Sequence, residues 1–182
     1  MDYTTLAALK SFGNFDTSHD DELLAALISA ASRMIDNHTG RKFGAEAETS
    51  HTFARSRHWD PFDGDTLLLD EDLADEPSFI TGSPTVTYLP SEPPYWGIVL
   101  TEGIWTDPTV VTGYWAYSKQ APPDVELACL RLAKWGYELK NTTRGDAVVV
   151  TTQGAVLLPA ALPADVVAML APYRRVKMAL PR

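Results

Sequence analysis

The sequence of 182 residues is poor in cysteine and contains no long apolar run. Its single cysteine, Cys129, excludes an internal disulfide framework and a cysteine-rich zinc site. Cys129 lies in the apolar stretch ELACLRLAKW, which predicts a buried thiol that packs as a small hydrophobic group. No segment approaches the roughly 20 apolar residues that span a bilayer, and the first residues lack the pattern of a secretory signal. We therefore expect a soluble protein with no membrane partner.

Basic residues are also scarce, since 15 Lys and Arg stand against 24 Asp and Glu, for a net charge of −9. Proteins that grip DNA through its phosphates need clustered basic side chains, so this chain is a poor candidate for that class. An acidic surface could still surround a duplex and let it slide.

The segment 173–182 is the exception to this acidic composition, since it holds four basic residues and no acidic one. Its interspersed apolar residues favour an arm that docks on an acidic partner over a solvated, frayed end.

Motifs that carry catalysis are missing. The sequence has no Gly-x-Ser-x-Gly turn, no phosphate-binding GxxxxGK[ST] loop and no dinucleotide-binding GxGxxG, and its four histidines lack metal-ligand spacing. We therefore predict no catalytic residue, no metal and no cofactor.

A cluster of carboxylates between Asp60 and Asp72 raises the possibility of a metal-dependent enzyme as an alternative class. Several carboxylates close together could hold Ca²⁺ or Mg²⁺. Their spacing does not match the calcium loop of an EF-hand. We favour two solvated acidic turns around a strand at Leu67–Leu69. The residues concerned are His58, Asp60, Asp63, Asp65, Asp70, Glu71 and Asp72.

The tripeptide Arg144-Gly145-Asp146 raises a third class, an adhesion or interaction module. Such tripeptides occur by chance, and a turn is the interpretation that we favour.

Apolar residues at helical spacing predict about four helices. The first is a short helix that bears Leu6, Leu9 and Phe12, with Thr4 or Thr5 as its N-cap and a left-handed residue at Gly13 after it. The second is a long helix at 18–39, which Ser18 caps and Gly40 ends. The third begins after Pro122-Pro123 and runs to Leu139, and the last runs from Pro163 to Pro172. The Val-rich segment 147–158 predicts a small hairpin or an extended arm.

Prolines, glycines and β-branched residues dominate residues 45–118 and predict a β-rich insertion. The predicted strands are His51–Ala54, Thr66–Leu69, Ser78–Ile80, Thr85–Leu89, Gly97–Leu100 and Val110–Tyr117. The fold class is therefore α+β, a helical bundle (1–44 and 119–182) with a β-rich insertion (45–118) between the second and third helices.

Aromatic residues crowd the second half of this insertion, at Trp96, Trp105, Tyr114 and Trp115. We favour a hydrophobic face within the β subdomain. The alternative is a subunit interface, where Trp and Tyr are enriched.

Several segments, taken in order, resemble the head–tail connector, or adaptor, family of long-tailed phages. The segment DELLAALISAASRMIDNHTGRKF looks like that family's opening helix, which ends in a Thr-Gly-Arg-x-Phe signature. The blocks DGDTLLLDEDLADEPSFI, PSEPPYWGIVL, VVTGYWAYSKQAPPDVELACLRLAKW and LPADVVAMLAPYRRV are similar to later parts of the same family. The resemblance spans nearly the whole chain.

This resemblance implies a non-enzymatic virion protein of the neck, made in the host cytoplasm. Its copies would form a ring, usually of twelve, that joins the portal to the stopper or tail-completion protein and continues the DNA channel. The alternative within the virion is another neck or tail-completion subunit, although such proteins are generally richer in strands. The resemblance assigns portal docking to Tyr173, Arg174, Arg175, Val176, Lys177 and Met178. It also implies that Gly40, Arg41 and Phe43 close the long helix and brace the insertion.

Overall fold

The structure, a computed structural model, describes residues 1–16, 18–56, 60–139, 149–150, 156–157 and 162–175. The fold is α+β, as predicted. The chain divides into two compact units. The helical unit, residues 1–40 and 121–182, contains all the described helices. The β unit, residues 41–120, contains two antiparallel sheets.

Helix α1, Leu6–Gly13, begins after Thr5, whose hydroxyl accepts a hydrogen bond from the Ala8 amide at 3.2 Å. This confirms the predicted threonine cap. The left-handed residue after the helix is Asn14, with φ 54°, so the prediction of Gly13 for that role is wrong. Gly13 is instead the last helical residue, and a Cβ there would lie 2.2 Å from the ring of Phe15.

Helix α2, Asp21–Thr39, starts later than predicted, because the residue before its first turn is Asp20 rather than Ser18. The Ser18 carbonyl accepts from the Asp21 amide at 3.3 Å, so Ser18 belongs to a turn that precedes the helix. Gly40 ends α2 as predicted, in the left-handed conformation with φ 68°. Apolar residues at helical spacing in α2 are buried, which confirms the helix that this spacing predicted; they are Leu24, Leu27, Ile28, Ala31 and Ile35.

Helix α3, Pro123–Leu139, packs against α1, α2 and α4. Helix α4, Ala164–Leu170, continues as a 3₁₀ turn at Ala171–Tyr173. At the centre of this unit, the Cys129 thiol lies 3.5 Å from the Ser32 hydroxyl, which donates to the Ile28 carbonyl. Burial raises the pKa of the Cys129 thiol to about 11, so the cysteine is buried and protonated, as its apolar context predicted.

The described residues of the β unit form seven short strands. They are β1 Thr49–Phe53, β2 Phe62–Asp63, β3 Thr66–Leu73, β4 Phe79–Ile80, β5 Thr85–Leu89, β6 Tyr95–Glu102 and β7 Thr109–Gly113. The first sheet has the order β1-β7-β4 and the second has the order β2-β3-β6-β5. In the helical unit, β8, Val149–Val150, pairs with β9, Val156–Leu157. This pairing agrees with the hairpin alternative for 147–158, whose other residues lie outside the described ones.

Five of the six predicted strands have other bounds in the structure, and for two of them the reason is identifiable. Strand β3 extends to Leu73 because a register shift against β6 lets the pairing continue past Leu68. Asp70, Glu71 and Asp72 therefore lie in a strand, and the predicted second acidic turn is wrong. Strand β7 ends at Gly113, where a Cβ would lie 2.8 Å from Leu73. The chain beyond it bends tightly, so the predicted strand to Tyr117 is too long.

The core of the β unit lies between the two sheets and is rich in aromatic residues. It comprises Phe53, Phe62, Leu67, Leu69, Leu73, Ile80, Tyr95, Ile98, Val111 and Trp115, with Val86, Tyr88 and Trp105 packed against them.

Candidate interaction surfaces

Charge is divided unevenly between the two units. The β unit carries 13 acidic and 5 basic residues, for a net charge of −8, whereas the helical unit carries 11 and 10, for a net charge of −1. A field of one sign over 80 residues repels anions and attracts basic partners at long range. The acidic body that the composition indicated is therefore mainly the β unit.

The start of the basic C-terminal segment is attached to the helical unit. Val166 and Leu170 bury the inner face of α4. The Tyr173 hydroxyl lies 3.4 Å from the Asp124 carboxylate, to which it donates. The Arg175 amide donates to the Thr39 carbonyl at 2.7 Å and so satisfies a carbonyl in the last turn of α2. Of the six residues predicted to dock, Tyr173 and Arg175 are thus held by their own unit.

The other predicted docking residues fall into two groups. Arg174 is exposed between these two anchored residues. Val176, Lys177 and Met178 lie outside the described residues.

The signature residues after α2 occupy one side of the β unit. The Arg41 guanidinium pairs with the buried Asp72 carboxylate at 2.7 Å and lies 5.3 Å from the centre of the Tyr117 ring. Phe43 is fully buried, and its ring lies 5.5 Å from that of Tyr117. Arg41 and Phe43 therefore fix the start of the β unit against its end.

Backbone hydrogen bonds join the same two stretches of chain. The Tyr117 amide donates to the Lys42 carbonyl at 2.7 Å, and the Ala45 amide donates to the Lys119 carbonyl at 3.3 Å. Lys119 also pairs with Asp75 at 2.5 Å, which lowers the pKa of that carboxyl. The incoming and outgoing chains of the β unit consequently run side by side.

The four aromatic residues considered for a subunit interface differ in burial. Trp115 is 5% exposed, stacks on His51 at 4.1 Å and donates its indole N–H to the Thr49 carbonyl, so it belongs to the core and the interface role is corrected for it. Trp105 is half-buried and donates to the Asp65 carbonyl at 2.9 Å. Trp96 and Tyr114 are half-buried, and Lys119 covers the Tyr114 ring.

The carboxylates of the acidic cluster are spread along a turn and a strand instead of converging. Asp60 accepts from the Phe62 amide at 2.9 Å, Glu71 pairs with Lys42 at 2.6 Å, and Asp72 is held by Arg41. No group of three or more His, Cys, Asp or Glu side chains within the described ranges is placed to hold a metal ion. His58 and the Arg144–Asp146 tripeptide lie outside those ranges.

The structure reveals two apolar features that the sequence analysis missed. One is an open groove of about 400 Å³ in the helical unit, lined by Phe12, Arg131, Lys134, Trp135, Glu138, Pro163, Asp165 and Val166. The other is a pair of exposed apolar residues in the β unit, Ile104 at 86% and Phe79 at 50% exposure. A single apolar residue in a turn, such as Gly103-Ile104, carries no periodic signal, and this explains why Ile104 was missed.

The fold is that of particle-neck chains. A chain in the neck of an empty gene transfer agent particle, computed with C6 symmetry, aligns over 99% of this chain and 93% of its own length, with a TM-score of 0.60 and 16% identity. A chain in the neck of the native particle, computed with C12 symmetry, aligns over 100% and 98%, with a TM-score of 0.58 and 17% identity.

A chain in the virion of the native gene transfer agent particle is also similar, over 97% of this chain and 92% of its own, with a TM-score of 0.55 and 17% identity. No protein-family model and no curated protein matches the chain. The similarity of fold agrees with the resemblance seen in the sequence, since two of these solved structures are of a particle neck. None of the described helices is long and apolar enough to cross a membrane.

Proposed function

We propose that this chain is a non-enzymatic structural subunit of a virion neck, a head–tail connector. The observation that carries the proposal is a similarity of fold over the whole length of chains from particle necks. A match to an isolated helical or β segment would carry less weight, because small motifs recur on unrelated proteins. The C12 symmetry of one of those necks supports a ring of twelve copies.

In this proposal the chain is a helical bundle with a β-rich insertion. Gly40 ends the long helix, and Arg41 and Phe43 brace the start of the insertion, supported by the Arg41–Asp72 ion pair and the burial of Phe43. The ring joins the portal to a stopper or tail-completion protein. Genomic DNA passes through without sequence-specific binding, because a unit with a net charge of −8 repels phosphates.

Portal docking is proposed for the segment Tyr173–Met178. Tyr173 and Arg175 attach the base of this segment to α3 and to the end of α2, and the basic and apolar residues that follow make the contact. An anchored base reduces the conformational entropy that is lost when the rest of the segment binds. Arg174, which is exposed, is the described residue best placed to pair with an acidic portal surface.

The function is tested by placing a stop codon in this gene and examining the particles by negative-stain electron microscopy. We expect separate heads and finished tails that never join, with heads that lose DNA. Normal joined particles would contradict the connector function. Complementation in trans with the intact gene should restore joining and serves as the control.

Portal docking is tested separately with two truncations of the purified protein. Deleting 176–182 should leave a folded, soluble protein that no longer binds the portal of the same particle. Deleting 173–182 should also lower the melting temperature, because the Arg175–Thr39 and Tyr173–Asp124 hydrogen bonds are lost. Unchanged portal binding by the shorter deletion would show that docking lies elsewhere.

A further inference from the structure

The β6–β7 loop of the β unit presents one apolar side chain to solvent on a rigid support. Ile104 is 86% exposed, the highest value among the large hydrophobic residues described. Its neighbour Trp105 is fixed by an indole hydrogen bond to the Asp65 carbonyl and by packing on Phe62 at 6.0 Å. On the far side of the loop, the Asp107 carboxylate accepts from the Arg55 amide at 3.2 Å. Such a preorganised apolar projection is typical of a contact residue, because little entropy is lost when it binds.

The groove in the helical unit has the complementary chemistry. Phe12, Trp135, Pro163 and Val166 supply an apolar lining, and Phe12 is itself 39% exposed. The ammonium of Lys134 lies 5.8 Å from the centre of the Phe12 ring. Its carboxylate partner in the described structure, Glu138, is 3.9 Å away, a long ion pair that leaves donor capacity at the ammonium.

Charge complementarity identifies which residues would meet at the edge of this contact. Glu102 lies two residues before Ile104, is exposed, and its carboxylate has no ion pair with any described residue. A carboxylate two residues before the projecting Ile104 is opposite in charge to the Lys134 ammonium at the groove. A ring needs two different faces on each subunit, one to receive and one to project, and these two features supply such a pair.

We infer that the β6–β7 loop of one copy seats Ile104 in the Phe12–Trp135 groove of a second copy, with Glu102 pairing with Lys134 of that copy. The inference rests on the proposed function, because it names the contact between neighbouring subunits of the ring. The occupant of the groove is thus another copy of this chain.

Cross-linking of full-chain variants that each carry one added cysteine tests the contact. Ile104→Cys and Phe12→Cys are purified separately, mixed at high concentration and oxidised. Cys129 stays in both, because it is buried with a raised pKa. The matched control replaces Ile104→Cys by Phe79→Cys, which is also exposed and in the same unit. We expect at least about tenfold more heterodimer from the Ile104 and Phe12 mixture. Equal yields, or no cross-linked species in either mixture, would overturn the inference.

Charge reversal provides a second measurement by sedimentation of the oligomer. Glu102→Lys and Lys134→Glu should each weaken self-association at least about tenfold, and mixing the two variants should restore association between them. If both variants lose self-association and mixing them does not restore it, the Glu102–Lys134 pairing is wrong. If the stop-codon experiment shows unjoined heads and tails while cross-linking fails, the connector function stands and only this contact is wrong.

Discussion

The helical unit and the β unit form their cores with different chemistry. In the helical unit, aliphatic residues surround small polar groups that are satisfied locally, as Ser32 is by the Ile28 carbonyl. In the β unit, aromatic rings and one buried ion pair, Arg41–Asp72, fill the space between short strands. Helices satisfy their own backbone groups, whereas strands of two to eight residues depend on side-chain contacts across strands for stability. The β unit should therefore depend more strongly on single residues.

The largest expected effect is that of Trp115→Ala. It removes a buried ring, its stacking on His51 and the hydrogen bond to the Thr49 carbonyl, and should destabilise the β unit by about 3–5 kcal/mol. The midpoint of urea unfolding, followed by tryptophan fluorescence, should fall strongly. Fluorescence reports mainly on this unit, since four of the five tryptophans lie in the β unit. The control Trp105→Ala, at a half-buried position, should shift it less. Equal shifts in fluorescence and in helical circular dichroism would mean that the units unfold as one.

A smaller effect is expected for Asp72→Asn. The substitution leaves the Arg41 guanidinium without its carboxylate partner in a largely buried position, which should cost about 2–3 kcal/mol. Asp70→Asn, on the same strand but with its side chain 55% exposed, is the matched control and should cost under about 0.5 kcal/mol. Fluorescence-detected urea unfolding distinguishes them. Equal costs for the two variants would show that the buried pair is not a special support of the β unit.

The smallest effect concerns the helical unit and alkaline pH. Burial raises the pKa of Cys129 from 9.0 to about 11, so the folded state holds its proton more tightly than the unfolded state. The resulting stabilisation is fully present below about pH 9 and is lost as the pH rises through 11, on the order of 2 kcal/mol. Helical circular dichroism during unfolding should show this loss in the natural chain and not in Cys129→Ala. The same pH dependence in both proteins would contradict it.

Local patterns predicted much of the fold. The apolar period of α2 and the β-branched residues of β5, Thr85–Leu89, are local signals, and the structure contains both elements. The burial of Asp72 could not be predicted in this way, because it depends on a register shift against β6 and on Arg41, 31 residues away. The sequence context of Asp72 is that of an ordinary acidic turn.

The candidate surfaces were predicted less well, for a similar reason. A tryptophan suits a core and an interface equally, and the choice for Trp115 was decided by the Thr49 carbonyl, 66 residues away. The segment from Tyr173 was predicted to be a docking arm because it is basic, yet its first residues are hydrogen-bonded to α3 and to the last turn of α2. Charge patterns indicate which partner a segment prefers and not where its anchored part ends.

The paired backbone hydrogen bonds between the Lys42 and Tyr117 stretches have a consequence for evolution. Because the two ends of residues 41–120 are adjacent, the intervening chain can lengthen or shorten without altering the spacing of the residues that flank it. Closing a longer loop costs only a slowly growing amount of entropy. The β unit can therefore change in sequence and length while α2 and α3, the helices before and after it, keep their packing against each other.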